Sequence, residues 1–334
     1  MNPSNRREFL RSLGLITAGG LTSATLLESC SSKPKEADKS GSEEKSSHKP
    51  SAAKKEMFFK ISLAEWSLHR ALQEKQMDHL DFPGRAKNDF GISAVEYVNQ
   101  FFKDKAKDSS YLTELKKRCD DNAVISLLIM CDNEGALADL DGKKRTKAVE
   151  NHYKWIDAAN FLGCHSIRVN CFGQGTREEV AKAGIDGLHK LSEYGQKAGI
   201  NVIVENHGGM TSDGQWLSGV ITAVGMSNCG TLPDFGNFCL KREKGDMWDS
   251  PCVEWYDRYK GAAELLPFAK GVSAKTYDFD DQGNCVETDY AKMIPIVKAS
   301  GYTGHIGVEY EGSKLSEDDG IRATKRLLER VAMA

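Results

Sequence analysis

Three acidic side chains stand at the ends of apolar runs far apart in the sequence. Glu205 closes Ile200-Asn201-Val202-Ile203-Val204, Asp234 follows Gly230-Thr231-Leu232-Pro233, and Glu309 follows His305-Ile306-Gly307-Val308. Runs of this length and composition read as short strands buried in a core. Side chains alternate along a strand, so Glu205 and His207 share one side while Asn206 faces the other. A buried strand has no packing use for a carboxylate and an imidazole on one face. If the three acidic ends converge, the like charges repel, and they require a cation or a shared proton. Oxygen and nitrogen donors of this kind suit manganese, magnesium or cobalt, and zinc also accepts them.

Gathering distant strand ends needs a particular scaffold. From residue 57 onward, strand and helix signals alternate. Strands are expected at Phe58–Leu63, Ile92–Val98, Val124–Met130, Ser166–Cys171, Ile200–Glu205, Gly230–Asp234, Gly271–Lys275 and His305–Tyr310. Helices are expected at Met77–Asp89, Tyr111–Asp121, Arg145–Leu162, Arg177–Ala198, Gln215–Val224, Val253–Leu265, Asp289–Ser300 and Asp318–Met333. Eight β-then-α units in roughly 280 residues are the size of one barrel. The expected fold class is therefore α/β, a (β/α)8 TIM barrel over residues 56–334. An open doubly wound sheet is the alternative, but it would usually carry a Gly-rich phosphate loop, and no G-x-G-x-x-G stands here. In a barrel the C-terminal strand ends carry the chemistry. Those ends supply Trp66 and His69, Glu96, Asp132, Arg168 and Asn170, Glu205 and His207, Asp234 and Asn237, Lys275, and Glu309 with Glu311.

The chain of 334 residues is 40% hydrophobic and 28% charged, with a net charge of −3, which provides apolar material for a large core. That near-neutral balance argues against a nucleic-acid partner, which leaves a basic footprint. At the N-terminus, Asn5-Arg6-Arg7-Glu8-Phe9-Leu10-Arg11 is a twin-arginine pattern, and the mild apolar run Leu13 to Leu27 is too short to span a membrane. Residues 1–30 are thus expected to be a Tat-type export signal. Leu27-Glu28-Ser29-Cys30 resembles a lipobox, so the exported protein would be periplasmic or a lipoprotein anchored through Cys30. Residues 31–55 are mostly Ser, Lys, Glu and Pro, the composition of a disordered linker. Of the nine cysteines, all but Cys30 fall in the expected barrel. None has C-x-x-C or zinc-site spacing, so buried free thiols are expected, with disulfides left open by export.

Five segments, in order, resemble the xylose isomerase-like TIM-barrel superfamily of sugar isomerases and epimerases, in particular its exported bacterial sugar phosphate isomerase/epimerase-like members. They are Ala64-Glu65-Trp66-Ser67-Leu68-His69, Val204-Glu205-Asn206-His207-Gly208-Gly209, Leu232-Pro233-Asp234-Phe235-Gly236-Asn237-Phe238, Ser273-Ala274-Lys275 and Gly307-Val308-Glu309-Tyr310-Glu311-Gly312. The resemblance implies a divalent ion held by Glu, Asp, His and Glu of the fifth to eighth strands. Three of these match Glu205, Asp234 and Glu309, while the histidine position holds Ser273. The expected metal ligands are then Glu205, Asp234 and Glu309, with His207 as the fourth. The expected cofactor is a divalent metal, Mn2+ first, with Mg2+, Co2+ and Zn2+ as alternatives. The resemblance also assigns proton transfer to Glu205 and Glu309. A bound cation would acidify the C–H beside a carbonyl, and a carboxylate on each face would move that proton through an enediolate. Arg168, Lys275, Asn237 and His207 would hold substrate hydroxyls or the enediolate. Trp66 and His69 would wall a sugar face, and Glu96 and Asn170 complete the expected substrate-binding set.

The function expected is a divalent-metal-dependent sugar isomerase or epimerase acting on a small-molecule sugar or keto-sugar. β-Elimination from a keto-sugar on the same barrel is the alternative. A non-catalytic carbohydrate-binding lipoprotein is a second reading. A nuclease resembling endonuclease IV is disfavoured by a net acidic chain with eight histidines. No nucleic-acid partner is expected, membrane contact would come only through Cys30, and homo-oligomerisation stays open. Structural counterparts exist for several residues. Glu205 and Glu309 could form a buried acid pair bridged by Lys275 or Arg168, Glu96 could pair with Arg168, and Trp155 could be core.

Overall fold

The computed structural model describes residues 56–333; the expected export signal, Cys30 and the expected linker lie outside the described residues. Ten strands follow in chain order: β1 (Lys60–Ala64), β2 (Ala94–Val98), β3 (Ile125–Met130), β4 (Ser166–Val169), β5 (Asn201–Glu205), β6 (Cys229–Leu232), β7 (Cys239–Arg242), β8 (Cys252–Trp255), β9 (Val272–Thr276) and β10 (His305–Tyr310). Eight of them form one sheet in the order β6-β5-β4-β3-β2-β1-β10-β9, and β7 and β8 pair separately. Every neighbouring pair in the large sheet is parallel. The sheet closes on itself where Thr231 bridges Ala269 and Asp234 bridges Ser273. At this seam Ser273 N–H donates to Pro233 O at 2.9 Å and Phe235 N–H donates to Ser273 O at 3.1 Å. The closure itself therefore brings Asp234 beside Ser273.

Between the strands run α1 (His69–Gln73), α2 (Phe82–Phe90), α3 (Ser109–Asp121), α4 (Gly142–Leu162), α5 (Arg177–Lys197), α6 (Gly214–Val224), α7 (Arg258–Leu265), α8 (Tyr290–Ala299) and α9 (Glu317–Ala332). Their starts are written in the sequence. Asp108, Asp141, Asp213, Asp257 and Asp289 each accept from free first-turn N–H groups, and Thr176 with Glu179 forms a capping box on α5. α4 and α6 stop at Gly163 and Gly225, both left-handed. The larger core lies between strands and helices and includes Phe82, Leu115, Trp155, Leu188 and Val202. A smaller plug of Ala64, Val98, Leu128, Met130, Ile203 and Leu232, with Trp66 and Phe101 packed against it, forms a second cluster. These residues sit on barrel strands, so the plug fills the cylinder and leaves the strand ends to carry polar groups.

Two sequence expectations need correction. Val253–Leu265 is not one helix. Cys252–Trp255 is β8, and the helix begins only at Arg258, behind the Asp257 cap. The alternation of Val253 and Trp255 with polar neighbours suits a strand, and a Cys239–Cys252 disulfide ties β8 to β7. The six other cysteines of the barrel are free and buried, as expected. Met77–Asp89 is likewise divided, into a 3-10 turn at His79–Asp81 and the helix α2 from Phe82, where Pro83 fits the first turn. Among the described residues, no helix is long and apolar enough to cross a membrane.

Candidate active site

A cavity of about 700 Å3 opens beyond the C-terminal ends of the strands. Its charged lining includes Arg168, Lys275, Glu309 and Glu311, with Asp132, Glu134 and Arg242. One wall carries Trp66, which stacks on His69 at 4.9 Å and on Phe101 at 5.9 Å. Another carries Phe172, His207 and Trp248, with the Trp248 ring 4.5 Å from His207 and 6.4 Å from Phe172. Trp248 comes from the loop joining β7 to β8, which lies close against Gly208. A Cβ at Gly208 would stand 3.1 Å from Met247 Sδ and 3.5 Å from Trp248, and its φ of +97° is open only to glycine.

The charged groups form two connected sets. In the first, Asp234 Oδ1 accepts from the Gly236 and Asn237 backbone N–H groups, each at 2.8 Å. Ser273 Oγ lies 2.6 Å from Asp234 Oδ2 and 2.6 Å from Glu309 Oε2. The Lys275 ammonium is 3.2 Å from Glu309 Oε1, 3.2 Å from Glu311 Oε1 and 3.8 Å from Asp234 Oδ2. In the second set, Arg168 Nε is 2.9 Å from Glu205 Oε2 while Arg168 NH1 is 2.7 Å from Asp132 Oδ1. Asn170 Nδ2 donates to the same Asp132 oxygen at 2.7 Å, and Asn170 Oδ1 lies 2.8 Å from His207 Nδ1. Asn237 joins the sets, since its side-chain amide donates to Glu205 Oε1 at 3.0 Å.

Donor counting fixes the protons. Ser273 has one hydroxyl hydrogen and faces two carboxyl oxygens, so one of the acids carries a proton of its own. Asp234 Oδ1 already accepts two N–H donors and Glu309 Oε1 faces the Lys275 ammonium, so the proton lies on Asp234 Oδ2 or Glu309 Oε2. Burial, with Glu309 and Glu205 adding to it against Lys275, pushes Asp234 up to about 8, which favours Asp234 Oδ2. Asn170 presents its amine to a carboxylate that only accepts, so its oxygen faces His207. Nδ1 of His207 is then the protonated nitrogen, and Nε2 is bare. Burial, with Arg168 and Lys275, pushes His207 down to about 3, so it is neutral. Glu205 rises to about 7 because burial outweighs Arg168. For Asp132, burial is outweighed by Arg168, and it sits below the usual carboxylate range. For Lys275, burial opposes the charge, but Glu309, Glu311 and Asp234 overcome it and hold the ammonium well above its ordinary value.

The structure gathers most of the expected residues around one cavity. Trp66, His69, Arg168, Asn170, His207, Asn237, Lys275 and Glu309 all line the cavity. Glu96 does not. It points into the barrel, where its Oε1 accepts from Ser62 Oγ at 2.6 Å and its carboxyl packs on Gly307. Nor does Glu96 pair with Arg168, which is taken by Asp132 and Glu205. The expected metal set of Glu205, Asp234, Glu309 and His207 is not assembled: Glu205 faces Arg168 and Asn237, and His207 faces Asn170. Asp234 and Glu309 meet across the Ser273 hydroxyl, with the Lys275 ammonium against both. Among the described residues, no three His, Cys, Asp or Glu side chains are grouped so as to hold a metal ion. The residues present do not fit a divalent ion. Asp132 and Glu311 stood among the strand-end residues without an expected role, and Phe172 and Trp248 were not expected in the site. Glu311 had a signal, since it lies two residues beyond Glu309 on the same strand face; Trp248 had none.

A sequence model of the family described as xylose isomerase-like TIM barrel matches residues 85–331. The chain belongs to that family. Among curated proteins, none matches the sequence. Solved structures similar to this family member include an L-ribulose 3-epimerase, with 13% identity, TM-score 0.61, and coverage of 82% of this chain and 94% of that one. A 3-keto-D-glucoside 4-epimerase from E. coli is similar at 12% identity and TM-score 0.57, covering 82% of this chain and 100% of the other. A xylose isomerase-like TIM barrel protein from Mycobacterium smegmatis, in complex with magnesium, is similar at 17% identity and TM-score 0.56, covering 83% and 98%. At these identities the likeness shows the fold.

Proposed function

We propose that this family member is a sugar isomerase or epimerase that moves a proton next to a carbonyl through an enediolate. The observation that carries this reading is Glu309: a buried carboxyl facing a cavity with aromatic walls, braced by Lys275 and Ser273. Glu309 takes the proton from the carbon beside the carbonyl, and the C–H electron pair moves into the carbon–carbon bond. Charge then appears on the carbonyl oxygen, where Lys275 and Arg168, both lining the cavity, supply fixed positive charge. The proton returns to the opposite face of the same carbon, or to the neighbouring carbon while the proton of the adjacent hydroxyl passes to the former carbonyl oxygen. His207 Nε2, bare and on the cavity wall, is the second atom able to carry it. Glu205, which the resemblance made a catalytic base, lies behind Arg168 and Asn237 and orients them. Trp66 on one side and Trp248 on the other suit the apolar faces of a sugar ring.

A second reading uses the same step. An enediolate formed beside a carbon bearing a leaving group can expel that group, and the size of the cavity admits a glycoside as readily as a free sugar. Incubation of the full chain in D2O with a panel of ketoses and keto-glycosides, followed by NMR, tests both. The expected result is deuterium at the carbon beside the carbonyl, lost in Glu309→Gln. No exchange across the panel would defeat the proposal; release of an aglycone would select the second reading.

A further inference from the structure

We infer that this chain works without a resident divalent ion, the Lys275 ammonium and Arg168 guanidinium supplying the positive charge that an ion would bring. Three features of the donor set point this way. The histidine that the resemblance placed on the seventh barrel strand, here β9, is Ser273, whose hydroxyl is already committed at 2.6 Å to both Asp234 and Glu309. Both oxygens of Glu205 are engaged, one by Asn237 at 3.0 Å and one by Arg168 at 2.9 Å. Lys275 stands where its charge meets three carboxyl groups at once, at 3.2 Å from Glu309, 3.2 Å from Glu311 and 3.8 Å from Asp234. An ion bound to Asp234 and Glu309 would sit at ligand distances of about 2.0–2.2 Å. That would place it beside the ammonium, where like charges repel with little solvent to screen them. Gly236 packs on the Lys275 stem, with a Cβ there 3.1 Å from Lys275 Cγ, and three carboxyl groups hold the ammonium at the cavity surface.

The catalytic half of this inference rests on the proposed proton transfer, and the metal half does not. The full chain is incubated in turn with MnCl2, MgCl2 and ZnCl2, passed through a desalting column, and its metal content measured by elemental analysis. Below about 0.1 equivalent is expected for each, with no change in melting temperature on adding EDTA. About one equivalent of any of the three, with an EDTA-sensitive melting temperature, overturns the inference. Deuterium exchange is then run in EDTA: persistence supports the inference, and loss restored by a divalent ion overturns it. Metal-free protein with no exchange in any condition leaves the metal statement standing and defeats the proposed function. Lys275→Met should lower exchange at least about 100-fold while the protein stays folded by circular dichroism. Undiminished exchange in that variant shows that the ammonium is not the charge used. If the variant does not fold, the wild-type metal measurement decides.

Discussion

Replacing Ser273 by alanine tests the proton arrangement on which the site depends. The hydroxyl makes two short contacts, 2.6 Å to Asp234 Oδ2 and 2.6 Å to Glu309 Oε2. With the proton on Asp234, one contact is a neutral acid donating to the hydroxyl and the other is the hydroxyl donating to Glu309. The first contributes about 0.5–1.5 kcal/mol and the second, to an ionised acceptor, about 1.5–3 kcal/mol. The expected loss near neutral pH is thus roughly 2–4 kcal/mol, a fall of about 5 °C or more in Tm for a barrel of this size. The pH dependence is more telling than the total. Above the Asp234 value of about 8 the extra proton is gone, and the one hydroxyl hydrogen of Ser273 can serve only one acid. The cost of the substitution should then shrink toward that of a single bond, about 1.5–3 kcal/mol. Urea denaturation of wild type and Ser273→Ala at about pH 6 and about pH 9.5 gives both numbers. A cost below about 1 kcal/mol at pH 6, or one equally large at both pH values, would refute the shared proton.

Three further outcomes follow from named contacts. Trp248→Ala removes the ring that stands 4.5 Å from His207 and lines the cavity, and should weaken sugar binding about 3- to 10-fold, seen as a rise in KM with kcat little changed. The Cys239–Cys252 bridge spans a sequence separation of 13, for which loop closure contributes about 3 kcal/mol; Cys239→Ser with Cys252→Ser should open 240–251 to limited proteolysis and leave the barrel uncut. Glu96, pushed up to about 8 by burial, keeps its proton in the folded chain at pH values where the unfolded chain has released it. Its contribution to stability is therefore full below its ordinary range near pH 4 and lost as pH rises toward 8. Glu96→Gln carries no such penalty, so its advantage over wild type in urea midpoint should grow from pH 5 to pH 8, by at most about 1.4 kcal/mol per pH unit, and an unchanging gap would place Glu96 in contact with water.

The barrel was legible because its signals are local and repeated. Apolar runs such as Ile200–Val204, aspartate caps such as Asp141 and Asp289, and glycine stops such as Gly163 are read within a few residues of one another. The β7–β8 hairpin was not, because its register is held by a bond between Cys239 and Cys252 with no spacing motif to announce it. Without that pairing, Val253 to Leu265 reads as one amphipathic helix. Glu96 failed for a related reason. It occupies a strand whose residues are all buried, and its neighbours Ser62 and Gly307 come from β1 and β10, which no local spacing in the sequence ties to it. Gly307 leaves room for the carboxyl: a Cβ there would lie 2.8 Å from both of its oxygens.

The site shows which part of a reading by residue type can fail even when most of its residues are found. Acids at the ends of three strands demand positive charge, and that demand is electrostatic and independent of detail. What meets it depends on side chains that no spacing rule ties together. Ser273 arises at the seam where the sheet closes, which places its hydroxyl between Asp234 and Glu309. Lys275, two residues on, shares its strand face and so delivers an ammonium to the same acids. Arg168 reaches Glu205 from the neighbouring strand, where its own register partner is Ile203, two residues before Glu205. Each of these cations is confined by a second acid, Glu311 or Asp132, so neither is free to leave when the first is needed. Two fixed cations and one shared hydrogen answer the same electrostatic requirement as one divalent ion. They differ from it in consequence: charge written into the chain is not removed by a chelator, whereas a substitution at Lys275 or Arg168 removes it.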